Sequence, residues 1–408
     1  MDESITANIK SKYFNELMPL EEVLEKSSKN KEISIGIPKE DITLEKRIAL
    51  TPEAIKALST DKVKVYVESN AGAESGYSDL TFSENGAIIV KSKEEVFKSD
   101  IIIKIAPLTF EELNLISSGK TVISSLSLPT QNREYFEKLV KKKITALAYE
   151  YIQDKDNSFP VVKSMSEIIG NTTILLAARY LSHPKYGKGI LLGGFPGIAP
   201  SEVVIIGAGT VGEYAARTAS GLGASIKIFD SSSSRLRRIH ERLGYNLYTS
   251  VFDYTTLKDA LLKADAVIAA KHVAFGKTPC LIPEELVKQM KPNSIIIDVS
   301  IDQGGCFETS IPTNLNQPIF KKHNITHYCV PNIASGVPHT ATKALSNIIS
   351  PILQKIIDSG GILNNLKNDY WLCKGVYVLS GIITNKYIGN SYRMPYQDID
   401  LLMAAFQQ

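Results

Sequence analysis

Apolar residues along the chain gather in short runs of strand length, and most runs are followed by a segment with helical spacing. ISIGI at 33–37 opens the series, and KVKVYVES at 62–69 alternates apolar and polar positions as a half-covered strand does. DIIIKIA, TVISSLSL and ITALAYEY, starting at residues 100, 121 and 144, are more uniformly apolar, as strands covered on both faces are. Between them lie the helix candidates EEVFKS, TFEELNLIS and REYFEKLVKK. TPEAIKALS places Thr51 to cap a helix and Pro52 at its first position, where a missing amide costs little. This strand–helix alternation predicts an α/β unit with a mostly parallel sheet.

Residues 164–182, SMSEIIGNTTILLAARYLS, predict a long amphipathic helix that joins two domains, with the Gly-rich loop GKGILLGGFPGIAPS behind it. A second α/β unit runs from Glu202 to the neighbourhood of Ser335, and ATKALSNIISPILQKIID reads as another long helix. A polar C-terminal region ending in short helices completes the chain. At the other end, residues 19–26 predict a short helix opened by Pro19, with a linker over 27–31.

The length of 408 residues suits two domains, and 44% hydrophobic with 22% charged residues describes an ordinary globular protein. A net charge of +3 gives no mandate for nucleic acid or an acidic membrane surface, so neither is expected as a partner. The N-terminus lacks a secretion signal and no window is apolar enough for a membrane span, which leaves a cytoplasmic protein as the expectation. Four widely separated cysteines form no CxxC pair, so no metal site and no disulfide framework are expected. Histidine is more informative. His183, His240, His272, His323, His327 and His339 all lie in the later part, which limits acid–base chemistry in the first half.

The strongest chemical signal is EVVIIGAGTVGEYAARTASGLGASIKIFD. Val203 to Ile206 form a strand, and Gly207, Gly209 and Gly212 complete G-x-G-x-x-G, with Thr210 and Val211 between the last two. The first glycine permits a tight turn, the second lets a pyrophosphate approach free amides at a helix start, and the third lets helix and strand pack closely. SIKIF then forms a second strand ending at Asp230, whose carboxylate suits the ribose hydroxyls of NAD and repels the 2'-phosphate of NADP. The fold class expected is therefore α/β, with two Rossmann-like domains carrying parallel sheets and separated by a cleft. NAD is the expected cofactor.

DAVIAA at 265–270 and SIIIDVS at 294–300 continue the second unit, and Asp302 follows the latter strand by two residues in SIDQGGCFETS. Asp and paired Gly are ordinary turn residues, yet this turn lies at a strand's carboxyl end, where α/β sheets bind ligands. Both readings of Asp302 stay open at this point. Gly304 and Gly305 would let backbone approach a cofactor, while Cys306 reads as a small packed residue.

IGIPKE at 35–40, EKRIALTP at 45–52, MSEIIG at 165–170, the glycine fingerprint, DQGGCFETS at 302–310 and YCVPNIASGVPHTAT at 328–342 together resemble the alanine dehydrogenase family. The chain is similar also to its relatives, the NAD-binding transhydrogenase subunit and the lysine-forming saccharopine dehydrogenase. The resemblance spans nearly everything from Ile33 onward, and DQGGCFE leans toward alanine dehydrogenase. It implies a substrate domain of 33–165 plus 340–408, an NAD-binding domain of 166–339 and an N-terminal extension of 1–32. It implies that Arg47 grips a substrate carboxylate, a task its planar fork suits. It further implies that Asp302 and Lys104 serve catalysis, that Ser166 lies beside the cofactor and that Asn332 lies near the nicotinamide. The activity implied is reversible NAD-linked oxidative deamination of L-alanine to pyruvate and ammonium, by a homo-oligomer that is a hexamer or a dimer.

Two positions depart from the family pattern. The family's substrate lysine sits in a piece like KVKEP, whereas this chain has KIAP at 104–107: either the matching lysine is absent and Lys104 matches the earlier, non-catalytic one, or the loop is one residue shorter. The family histidine falls in a piece like FLHLA, and Ser127 of SLSLP stands there instead. A serine hydroxyl does not exchange protons near neutrality as imidazole does. His339, where the family usually has a basic residue, is either a substitute near the crevice or a local turn histidine. Besides the alanine enzyme, the readings left open are an NAD-binding homologue with a regulatory or structural role and a dehydrogenase of another 2-amino or 2-oxo acid.

Overall fold

The computed structural model of the protein describes residues 32–244, 247–271 and 278–405. The helix expected over 19–26 and His272 lie outside the described residues. Two sheets organise the rest. The first contains β1 (Ile33–Ile37), β2 (Val63–Glu68), β3 (Ala87–Val90), β4 (Ile101–Ile103), β5 (Thr121–Ser124) and β6 (Thr145–Ala148). The second contains β7 (Glu202–Ile206), β8 (Ser225–Phe229), β9 (Tyr248–Ser250), β10 (Ala266–Ala269), β11 (Ile295–Asp298), β12 (Ile319–Lys322) and β13 (Ile325–Tyr328). The chain then returns to the first sheet with β14 (Val376–Leu379) and β15 (Ile382–Ile383).

Strand order is β15-β14-β6-β5-β4-β1-β2-β3 in the first sheet and β12-β13-β11-β10-β7-β8-β9 in the second. Pairing is parallel except where β12, β14 and β15 join. Each sheet therefore reverses direction beside its first strand, between β1 and β4 and between β7 and β10. Such switch points open crevices at the carboxyl ends of strands. The uniformly apolar runs explain the layering. β4, β5, β6, β10 and β11 are buried along their whole length, whereas β2 alternates buried Val63, Val65 and Val67 with less covered residues. Apolar clusters cover both faces of each sheet.

Four helices matter for the site: α1 (Pro52–Leu58), α2 (Pro160–Ser182), α3 (Thr210–Gly221) and α4 (Pro338–Asp358). Thr51 caps α1, its side chain accepting the Ala54 amide, with Pro52 at the first position as the sequence predicts. α2 begins four residues earlier than its expected start, because Pro160 supplies the fixed φ that a first turn favours. It packs against both α3 and α4, so the helix joining the lobes is buried from more than one side, at Val161, Gly170, Ile174, Ala177 and Leu181 among others. α4 carries Leu345, Ile349, Leu353 and Ile356 into the core of the first sheet. Beyond it the polar C-terminal region holds two strands as well as short helices. VYVL is four residues long and fully buried, too short for periodicity to separate a strand from a helix turn. Among the described residues no helix is long and apolar enough to cross a membrane.

Candidate active site

The glycine fingerprint leaves β7 and enters α3, and each glycine meets a different constraint. Gly207 has φ of 112°, and a Cβ there would lie 2.5 Å from the Ala270 carbonyl oxygen. A Cβ on Gly212 would lie 1.9 Å from the Gly207 oxygen, so the helix crosses its own strand at backbone distance. A Cβ on Gly209 would meet nothing within 4 Å. That open space, beside a helix start with no side-chain cap at Gly209, fits a pyrophosphate held by the amides of Thr210, Val211 and Gly212. Asp230 is fully buried at the end of β8, and its two oxygens accept the amides of Ala208 at 2.7 Å and Ser232 at 2.8 Å. The acid thus braces the glycine turn itself. Gly170 of α2 packs on Val211 and Tyr214 of α3, and Ser166 lies one turn earlier on the same face of α2.

Across the cleft, Arg47 lies in the loop that runs from β1 to α1 and is buried. Glu45, two residues before it, takes the guanidinium as a fork, with Nε to Oε1 at 2.8 Å and Nη2 to Oε2 at 2.7 Å. Burial alone would raise the Glu45 carboxyl, but the Arg47 charge outweighs it and holds it below its ordinary value. The remaining nitrogen, Nη1, lies 3.2 Å from the Met165 sulfur of α2. The loop is docked on the other lobe's exit. Lys46 and Ile48 amides donate to Ser335 and Thr342 hydroxyls at 2.7 and 3.1 Å, and Asn332 donates its side-chain amide to Glu45 Oε2.

Lys104 directly follows β4 and is 3% exposed. Its ammonium sits 2.8 Å from Glu112 and 3.5 Å from Glu40, so it is held between two carboxylates. Glu40 in turn accepts the Ile105 amide, yet burial pushes its carboxyl up to about 7. Glu40, Glu45, Lys104 and Glu112 line a cavity of about 380 Å³ at the switch point of the first sheet. Tyr149, after β6, donates to the Ile105 carbonyl at 2.6 Å and feels the charge of Arg47.

Asp302 stands in the turn after β11, within electrostatic reach of Arg47. Asp302 is exposed to solvent. The desolvation its carboxyl feels lifts it to about 6, against the pull of the Arg47 charge. The paired glycines of this turn have a more local reason than cofactor approach. Gly305 has φ of 83°, and its Cβ would lie 2.9 Å from Asp298, whose carboxylate accepts the Cys306 amide and the Ser310 hydroxyl. Burial pushes the Cys306 thiol up to about 12, consistent with a packed residue.

The positions that depart from the family pattern have local partners. Ser127 adopts a left-handed φ of 44° and its amide donates to Glu150. The Glu150 carboxyl, buried behind that turn, is pushed up to about 7 by desolvation. His339 donates to the Ser75 carbonyl at 2.8 Å and stacks on Tyr77 at 5.0 Å, which makes it a local histidine. Among the described residues no cluster of His, Cys, Asp and Glu has the makings of a metal site. Reasoning from sequence missed Glu40, Glu45, Tyr149 and Glu150. Glu45 is the one with a signal, an acid two residues before an arginine in the quoted EKRIALTP piece.

The chain matches the family descriptions "Alanine dehydrogenase/PNT, N-terminal domain" over residues 36–169 and "Alanine dehydrogenase/PNT, C-terminal domain" over residues 173–386. It is 38% identical over 365 residues to alanine dehydrogenase of Methanococcus maripaludis, covering 89% of this chain and 97% of that one. Identity to alanine dehydrogenase of Bacillus subtilis is 36% over 363 residues, covering 89% and 95%. Among solved structures an L-alanine dehydrogenase superposes with a TM-score of 0.82 at 33% identity, covering 88% of this chain and 99% of the other. A transhydrogenase from Sinorhizobium meliloti, at 20% identity and a TM-score of 0.73 over 87% and 99% of the chains, shares the fold.

Proposed function

Because the chain belongs to the alanine dehydrogenase/PNT family, we propose that it is an NAD-dependent enzyme interconverting L-alanine and water with pyruvate and ammonium. One observation carries this reading. Glu45 of the substrate lobe holds the Arg47 guanidinium and accepts the Asn332 side-chain amide of the nucleotide lobe, in which Asp302 stands beyond β11 and feels the Arg47 charge. NAD, when bound along Gly207–Gly212, would take up the hydride from Cα and leave an imine that water converts to the 2-oxo acid.

Arg47 receives the substrate carboxylate at Nη1, because Glu45 already occupies the opposite edge of the guanidinium. Glu45 also fixes the plane of that group, so the carboxylate is oriented as well as held. Asp302, a carboxylate at neutral pH, would face the substrate ammonium and accept the proton that its nitrogen sheds. Lys104 stays with Glu40 and Glu112 and sets the charge of the cavity wall. Asp230 in its brace at the glycine turn favours NAD over NADP, since a 2'-phosphate would face its carboxylate.

A second reading has a specific observation behind it. KIAP at 104–107 and Ser127 stand where the family carries its substrate lysine and its histidine, which favours a dehydrogenase of another 2-amino or 2-oxo acid. Following NADH absorbance with purified protein over a panel of amino acids decides between them. Turnover of L-alanine ahead of the panel is the expected result, and saturable NAD binding with no turnover of any member would end the enzymatic reading. Arg47→Lys is expected to weaken substrate use and spare NAD affinity; unchanged substrate kinetics would remove Arg47 from the site.

A further inference from the structure

Asn332 occupies an unusual junction. It follows β13 in a left-handed conformation, with φ of 58°, at the point where the chain leaves the nucleotide lobe. Its side-chain amide crosses to the other lobe and donates to Glu45. Glu45 holds two of the three guanidinium nitrogens of Arg47. One residue of the nucleotide lobe thus reaches the pair that fixes the arginine of the other.

We infer that Asn332 is a positioning residue that couples lobe closure to the grip on the substrate carboxylate, acting on Arg47 through Glu45. The inference rests on the enzymatic reading above and deepens it. The physical requirement is narrow. The left-handed backbone suits Asn or Gly, and only a side chain with a donor can meet the second oxygen of Glu45 without repelling it. With the lobes parted, Glu45 loses that donor and remains tied to Arg47 alone, free to swing with the guanidinium. With the lobes together, the Glu45–Arg47 pair is pinned and Nη1 is presented to the crevice. The nearby contacts of Lys46 with Ser335 and of Ile48 with Thr342 hold the loop but touch neither charged group.

Asn332→Gly tests this, because it keeps the left-handed backbone and removes only the side-chain donor. Asn332→Asp keeps the shape and sets a carboxylate against Glu45. The readouts are KM and kcat with L-alanine, NADH affinity by fluorescence, and pyruvate affinity in the NADH complex. For Asn332→Gly the substrate KM and the pyruvate dissociation constant should rise roughly 10- to 100-fold, the weight of a hydrogen bond to a charged group, with NADH affinity unchanged. Asn332→Asp should be worse than Asn332→Gly on both. A merely structural asparagine would lower the melting temperature and leave pyruvate affinity alone, which overturns the inference. Equal losses of NADH and pyruvate affinity would overturn it too, by placing the side chain on the cofactor. If the wild type turns over no alanine yet binds another 2-oxo acid beside NADH, the alanine reading fails and that acid serves the same test. If it binds none, both fall.

Discussion

The two lobes lay their strands out alike, yet their crevices are made of different materials. In the nucleotide lobe the loop after the first strand is a handful of residues, and its function resides in backbone: a positive φ at Gly207, an open face at Gly209 and a backbone contact at Gly212. In the lobe proposed to hold substrate the equivalent connection runs from Pro38 to Thr51 and carries charged side chains: Glu45 and Arg47, which pair with each other, and Glu40, which faces Lys104 beyond β4. A site built of amides tolerates little change in shape. A site built of buried charges tolerates little change in partners.

The comparison breaks most sharply at Arg47. Arg47→Ala leaves Glu45 buried without its cation, so a loss of about 3–5 kcal/mol in stability is expected, read by urea denaturation. A loss within error would mean that water reaches Glu45 freely. The glycines come next. Gly212→Ala forces a Cβ against the Gly207 oxygen and should cost roughly 1–3 kcal/mol of stability along with NAD affinity. Gly209→Ala has room for its Cβ and should weaken NAD binding with the melting temperature untouched. Paired calorimetry and NADH titration separate the two, and equal melting temperatures for both variants would contradict the packing argument.

Smaller effects follow from the buried acids. The Glu40 carboxyl is raised from 4.5 to about 7 by burial, so the folded state holds that proton more tightly than the unfolded chain. Stability from this group is therefore complete below about pH 4.5 and is lost as pH rises toward 7. Glu40→Gln lacks the titration, so its melting temperature should gain on the wild type between pH 5 and pH 8, by an equivalent of about 2 kcal/mol. Parallel pH curves would deny the shift. At Asp302, lifted to about 6, the acidic limb of kcat/KM should fall near that pH and vanish in Asp302→Asn. A limb that survives the substitution belongs to another group.

The glycine pattern could be read directly because each constraint is local: a turn, a helix start and a following strand lie within one short segment. The same holds for the Thr51–Pro52 helix start, where the side chain and the amide it caps are three residues apart. Arg47, Ser166 and Asp302 were legible only by resemblance, since nothing in periodicity distinguishes a gripping arginine from a solvated one. The strand β14 escaped notice because its pairing partner β6 lies more than two hundred residues earlier, and β15, only two residues long, pairs with β14. Lys104 looked available as the end of an apolar strand. The acids that hold it are Glu40, from the loop after β1, and Glu112, from the short helix Phe110–Leu115.

By itself the sequence determined that this chain folds as two parallel α/β units and that the second carries a dinucleotide turn, because apolar period and glycine placement act over one or two turns of backbone. Tertiary structure decided which charges meet. It placed Glu45 between Arg47 and Asn332, enclosed Lys104, and drew Asp302 toward a guanidinium some two hundred and fifty residues away. Those pairings depend on distance and desolvation, quantities that exist only once the two sheets have packed around their common helices.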